Sequence, residues 1–145
     1  MRMVRNIDVV LLALSQAGDK YVYGAEASPS VENPNAFDCS ELIEWVCNRL
    51  EVIPTVPDGS WLQFQHCDSH GTDVSPTRGL GTLGALLFWF DGNPMGPNRP
   101  SGAHVAISLG DGRTIEARSE KHGVGVFGPE GRSWTHAALI PGVEY

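Results

Sequence analysis

Gly110-Asp111-Gly112 stands between two alternating runs, His104 to Leu109 and Arg113 to Ala117, and this pairing constrains the fold more tightly than any other stretch. A three-residue loop with glycine in the left-handed position is a common hairpin connection. It sets Leu109 opposite Arg113, Ile107 opposite Ile115 and Val105 opposite Ala117. Arg113 apart, those side chains are apolar and form a core face. The other face carries His104, Ala106 and Ser108 beside Thr114, Glu116 and Arg118. A two-residue loop would change the parity and put His104 and Glu116 on opposite faces. The hydrophobic pattern therefore selects the three-residue loop. Glu116 then lies opposite Ala106, with His104 its diagonal neighbour at about 7 Å between backbones.

Strands continue on either side. Leu86-Leu87-Phe88-Trp89-Phe90 is an unbroken apolar run suited to a central buried strand, and Val124-Val126 and Ala137–Ile140 predict further short ones. Asp91 to Gly102 holds three Pro and three Gly and reads as a surface loop. The N-terminal half is helical instead. Ile7, Val10, Leu11 and Leu14 recur as one buried face of a helix expected from a cap at Asn6 to about Ala17, with Gly18 just beyond it. A second helix is expected to run from Cys39 to about Leu50, and a short one from Ser60 to Cys67. Helices first and strands later give an α+β domain. No repeat or linker divides residues 1–145, which read as a single domain.

The second helix begins unusually. Asp38 in Phe37-Asp38-Cys39-Ser40-Glu41 has the character of an N-cap, with Glu41 placed to complete a capping box. Cys39 becomes the first helical residue, where unpaired N–H groups and the helix dipole favour an anion. A thiol held there is biased toward the nucleophilic thiolate. His104 beside Glu116 is the orienting half of a triad, since a carboxylate fixes the imidazole tautomer and stabilises the imidazolium. Spacing alone does not bring the two halves together.

Composition narrows the function. The formal net charge is −7 and the ten Lys and Arg are scattered, so no electrostatic footprint for nucleic acid exists. Three Cys cannot all close into disulfides, which suits synthesis in a reducing compartment. The run Val9–Leu14 is too short for a signal peptide core, follows Asp8 and lacks a cleavage site, and nothing approaches a membrane span. The expectation is a chain without signal peptide or membrane insertion, acting as a monomer. His66-Cys67-Asp68-Ser69-His70 invites a metal site, but without paired Cys-x-x-Cys spacing no metal or cofactor is expected. Cys47 falls on an apolar helix face and reads as core; Asp111-Gly112 reads as a turn; His122 and His136 have no evident partner.

Together these residues resemble the NlpC-type cysteine peptidases of the papain-like superfamily, enzymes that cut the peptides of bacterial cell walls. The resemblance runs through nearly the whole chain: Tyr21-Val22-Tyr23-Gly24, then Phe37-Asp38-Cys39-Ser40, then Gly84-Ala85-Leu86-Leu87-Phe88, then His104-Val105-Ala106-Ile107 with Leu109-Gly110. Three positions depart from the family pattern. Glu41 replaces a glycine, Ala85 replaces an aspartate expected to be structural, and Glu116 stands where a third His, Asn or Gln is common. Glu120 and His122 are less suited to that third place.

The resemblance implies a papain-like fold with N-terminal helices packed on a central antiparallel sheet. It implies Cys39 as nucleophile, His104 as general base and then acid, and Glu116 as its orienting partner. The Cys39 backbone N–H and the hydroxyl of Tyr21 or Tyr23 would hold the oxyanion, with Asp38 and Ser40 receiving a substrate ammonium group. The implied partner is bacterial peptidoglycan, cut between D-glutamyl and diamino-acid residues. Alternatives with the same triad are an N-acetylmuramoyl-L-alanine amidase or a papain-like acyltransferase; a non-catalytic wall-binding or tail-structural domain is the alternative of another class. The chain is most similar to phage endolysin or tail-lysin peptidase domains, which implies host cytoplasm or phage particle as its location before it acts on the wall.

Overall fold

The computed structural model describes residues 3–145. A short strand β1 (Val4–Arg5) leads into α1 (Asn6–Leu14). Then β2 (Lys20–Tyr21) and β3 (Ala36–Phe37) form a parallel ladder that delivers the chain to α2 (Cys39–Arg49). Next come α3 (Ser60–Ser69), β4 (Asp73–Val74) and α4 (Pro76–Leu80). The strands β5 (Leu86–Phe90), β6 (Ala103–Ser108), β7 (Thr114–Ser119), β8 (Gly123–Phe127), β9 (His136–Ala138) and β10 (Val143–Glu144) complete the chain. The main sheet has the order β4-β9-β5-β6-β7-β8 and every pairing in it is antiparallel; β10 instead pairs in parallel with β1. This is the expected α+β arrangement.

The hairpin takes the register that its parity dictates. Ile107 pairs with Ile115 and Ser108 with Thr114, and the Leu109 N–H donates to the Arg113 carbonyl at 2.9 Å. Gly110 and Gly112 both adopt left-handed φ, at 83° and 92°, which a Cβ would penalise. One sheet face, with Phe88, Val105, Ile107, Ile115 and Ala117, packs into a common core with Leu42, Ile43, Trp45 and Val46 of α2. Phe64 of α3 meets Phe88 and Phe90 edge-on, at 5.3 and 5.9 Å between ring centroids. Burying each such side chain contributes about 1.5–3 kcal/mol relative to leaving it in water.

The second face is buried as well, although its residues are polar or small. Ala106, Ser108, Thr114 and Glu116 are all inaccessible to solvent or nearly so. The α4 segment covers part of it, and Gly79 permits the close approach: a Cβ there would sit 2.6 Å from the Ala137 methyl. Ser108 donates its hydroxyl to the Leu80 carbonyl at 3.2 Å.

The first helix differs from expectation in cap, length and phase. Arg5, not Asn6, is the cap residue, its backbone N–H donating to the Asp8 carboxylate at 2.9 Å. Asn6 instead donates its side-chain amide to the Leu83 carbonyl at 2.9 Å, pinning the helix to the sheet. Regular helix ends at Leu14, and residues 15–17 continue as turns toward Gly18. The buried residues are Val9, Val10 and Ala13, whereas Ile7 and Leu11 face solvent. Val9 to Leu14 is apolar all round, so periodicity could not set the phase; packing against α2 and the Asn6 tether does. Other boundaries shift slightly: α3 extends to Ser69, β7 starts at Thr114 and β9 spans His136–Ala138. Among the described residues no helix is long and apolar enough to cross a membrane.

Candidate active site

Asp38 caps α2 as expected, its Oδ1 accepting the Glu41 N–H at 2.8 Å. The same oxygen accepts the Ser40 hydroxyl at 3.2 Å, and Oδ2 accepts the Gly24 N–H at 3.2 Å. One carboxylate thus starts the helix and holds the Tyr21–Gly24 segment against it. Glu41 does not complete the capping box. Its carboxylate turns inward and accepts the Ala27 N–H at 2.8 Å, satisfying a loop donor instead of the cap backbone. Glu44 and Asp58 gather beside Glu41, their ligand atoms within 4.8 Å of one another. Burial, reinforced by the Glu41 charge, pushes Glu44 up to about 8, and burial also raises Glu41.

Cys39 is a half-buried free thiol in the first turn of α2. It lines a cleft of about 630 Å³ together with Tyr21, Tyr23, Asp38, Ser40, Asp58 and Arg99. Behind this start, the buried Gln63 of α3 donates to the Ser40 carbonyl and to the Pro57 carbonyl, both at 3.0 Å. That brace was not anticipated.

His104 approaches from β6. Its Nε2 lies 2.9 Å from Glu116 Oε1, and Cys39 lies near enough to the ring to favour its protonated form. With Nε2 engaged by the carboxylate, Nδ1 is the nitrogen left for sulfur. Burial disfavours the imidazolium, but Cys39 and the Glu116 bond outweigh it and lift His104 to about 9. The fold thus gathers around one site three residues that lie on three elements, α2, β6 and β7.

Glu116 is completely buried and saturated with donors. Arg132 donates from Nη2 to Oε1 at 2.6 Å, and the Thr114 hydroxyl donates to Oε2. Burial alone would raise its pKa; the His104 and Arg132 hydrogen bonds reverse that and hold it down at about 2. Trp134 stacks on the His104 ring, 6.1 Å between centroids and 21° between planes, and the Arg132 guanidinium lies 4.8 Å over the Trp134 ring. Arg132 and Trp134 escaped the sequence reading because Gly128 to Trp134 has no periodicity that would aim either side chain.

Of the two tyrosines, Tyr21 sits by Cys39. Burial, then the nearby Cys39 and Asp38, raises it to about 12, which keeps its hydroxyl a donor. Tyr23 also lines the cleft but is 83% exposed. Cys47 and Cys67 are buried, and burial pushes both thiols up to about 12. The His66 and His70 rings lie 4.7 Å apart between centroids, tilted by 57°, while Cys67 turns into the core. His122 bonds Ser119 at 2.9 Å, and His136 lies against Phe64 and Phe90.

A thiol at a helix start, facing an imidazole–carboxylate pair on an antiparallel sheet, places this chain among the papain-like folds. A sequence profile of the NlpC/P60 family matches residues 18–142. The chain belongs to the NlpC/P60 family. It superposes on the NlpC/p60 domain of the peptidoglycan hydrolase SagA with a TM-score of 0.70 at 29% identity, over 94% of this chain and 100% of that one. The peptidoglycan hydrolase RipB of Mycobacterium tuberculosis gives 0.68 at 25%, over 94% of this chain and 64% of that one. RipD of the same organism, a non-catalytic NlpC/p60 domain protein adapted to peptidoglycan binding, gives 0.65 at 20%, over 93% and 96%, a likeness of fold. No curated protein matches the chain.

Proposed function

We propose that this domain hydrolyses an amide bond in the stem peptide of peptidoglycan through Cys39, His104 and Glu116. The observation that carries the reading is the buried Glu116 carboxylate bonded to the His104 ring at 2.9 Å, with the Cys39 thiol at the start of α2 close enough to favour the protonated ring. An imidazole–carboxylate pair with displaced pKa values, beside a cleft thiol, is the arrangement that acyl-transfer chemistry uses.

The chemistry follows from the positions. The Cys39 thiolate attacks the carbonyl carbon, and the charge moves to the carbonyl oxygen. We assign the Cys39 backbone N–H and the Tyr21 hydroxyl as donors to that developing oxyanion. The C–N bond breaks as the His104 imidazolium gives its proton to the departing amine, leaving an acyl thioester. His104, now neutral, takes a proton from water; the hydroxide adds to the thioester and the Cys39 thiolate leaves. Glu116 keeps the ring oriented and offsets the positive charge when the ring is protonated.

The D-glutamyl–diamino acid bond is the specific target we propose, supported by the family resemblance of the Tyr21–Gly24, Asp38–Ser40 and His104 motifs. Asp38 and Ser40 on the cleft wall suit a substrate ammonium group. A phage-lysin setting belongs to the same proposal. Mass spectrometry of peptidoglycan digests tests the bond. Fragments ending in a D-glutamyl carboxyl and beginning with a diamino-acid amine are expected. Fragments with a new free L-alanyl amine would assign an amidase instead, and no fragments at all would assign a binding role like that of RipD.

A further inference from the structure

We infer that Arg132 is a positioning residue for this site, acting through Glu116 to hold His104 in register with Cys39; the inference rests on the peptidase reading above. Glu116 Oε1 has two partners, His104 Nε2 at 2.9 Å and Arg132 Nη2 at 2.6 Å. Thr114 holds the other oxygen. Once His104 gives its proton to the leaving amine, the fully buried carboxylate would have no charged partner but Arg132 and would be costly to keep ionised without it. The guanidinium supplies the charge that stabilises it, and it does so without competing for the ring.

Arg132 also fixes the ring from a second direction. Its guanidinium covers one side of Trp134, and Trp134 stacks on His104. The imidazole is therefore gripped at its edge by Glu116 and on its face by Trp134, with Arg132 touching both holders. Arg132 is itself mostly buried, at 12% side-chain exposure, so its charge is little screened by solvent. It has no contact with Cys39 in this network, which makes it a support and not a reacting group.

The test is a double-mutant cycle on Arg132→Met and Glu116→Gln, read by kcat and KM on peptidoglycan fragments. Arg132→Met is expected to lower kcat about tenfold with KM unchanged, and to add less than about twofold when Glu116 is already Gln, as for residues in one hydrogen-bonded network. Arg132→Lys, which keeps the charge, should restore most of the rate. The same cycle is run on the rate of Cys39 alkylation by iodoacetamide at neutral pH, which needs no substrate; Cys47 and Cys67 are buried and do not compete. A wild type inert on peptidoglycan but showing the coupled alkylation cycle would sink the peptidase reading and leave the Arg132 role standing. An equal loss from Arg132→Met in both backgrounds, or none in either, would overturn the Arg132 role. Should Arg132→Met fail to fold, Arg132→Gln carries the cycle, and a loss that persists undiminished in Glu116→Gln overturns it equally.

Discussion

His104 Nε2 and Glu116 Oε1 lie 2.9 Å apart, a half-buried imidazole bonded to a carboxylate that solvent does not reach. The pair spans β6 and β7 diagonally, the geometry that the hairpin parity requires. Glu116→Gln keeps the shape and can still accept from Arg132 through its amide oxygen, but it cannot stabilise an imidazolium by charge. We expect kcat to fall about a hundredfold, the scale of a general acid–base contribution, with a much smaller change in thermal midpoint. Steady-state rates beside thermal unfolding check this, and an unchanged rate would move the third role away from Glu116.

The nearness of Cys39 makes His104 a reporter. Its ordinary pKa of 6.5 is raised to about 9 in the folded protein, because Cys39 and the Glu116 bond outweigh burial. Raised in the folded state, it contributes stability that is fully present below 6.5 and lost as pH rises through about 9. Activity carried by the imidazolium should decline over the same upper range. An NMR titration of His104 should show the raised value in the wild type and a lower one in Cys39→Ala. Identical titrations would mean that the sulfur does not touch the ring.

Glu44 gives a second pH signature, away from the chemistry. Its pKa is raised from 4.5 to about 8, first by burial and then by Glu41. The sign follows from proton binding: the folded state holds a proton that the unfolded state has released, so stability is fully present below 4.5 and lost as pH rises through about 8. Glu44→Gln mimics the protonated acid and does not ionise. Its thermal midpoint should gain on the wild type steadily from pH 5 to about pH 9, the interval set by the shifted carboxyl. A gap that stays constant over that range would show that Glu44 titrates as an ordinary surface carboxylate.

Gly79 tests the packing of the second sheet face. A methyl there would meet Ala137 Cβ at 2.6 Å and Leu87 Cδ2 at 3.0 Å, and the Ala137 methyl, fixed to its backbone, cannot swing clear. Gly79→Ala should cost about 1–3 kcal/mol of stability, as overpacking does, while the activity of the folded fraction is unchanged. Denaturant unfolding reads it directly, and an unaltered midpoint would contradict the close approach of α4.

Much of this architecture is legible in the residues because single physical constraints act locally. The parity of Val105, Ile107, Ile115 and Ala117 leaves one register for the hairpin, and that register alone puts Glu116 next to His104. Asp38 before an apolar helix announces its own cap. What is not legible depends on partners far along the chain. Glu41 prefers the Ala27 N–H over its own cap backbone, and nothing local reveals that loop donor. The phase of α1 is undetermined by an all-apolar run and is set by Asn6 reaching Leu83. Arg132 and Trp134 come from an irregular segment whose aim exists only once the sheet has formed beneath it.

The central claim is that the Cys39 sulfur breaks a peptidoglycan stem-peptide bond. Its most direct measurement is the time course of peptide release from purified peptidoglycan by wild type and by Cys39→Ala, with circular dichroism establishing that both are folded. The account predicts sustained release by the wild type and none by the variant. Release at the wild-type rate by folded Cys39→Ala would contradict it.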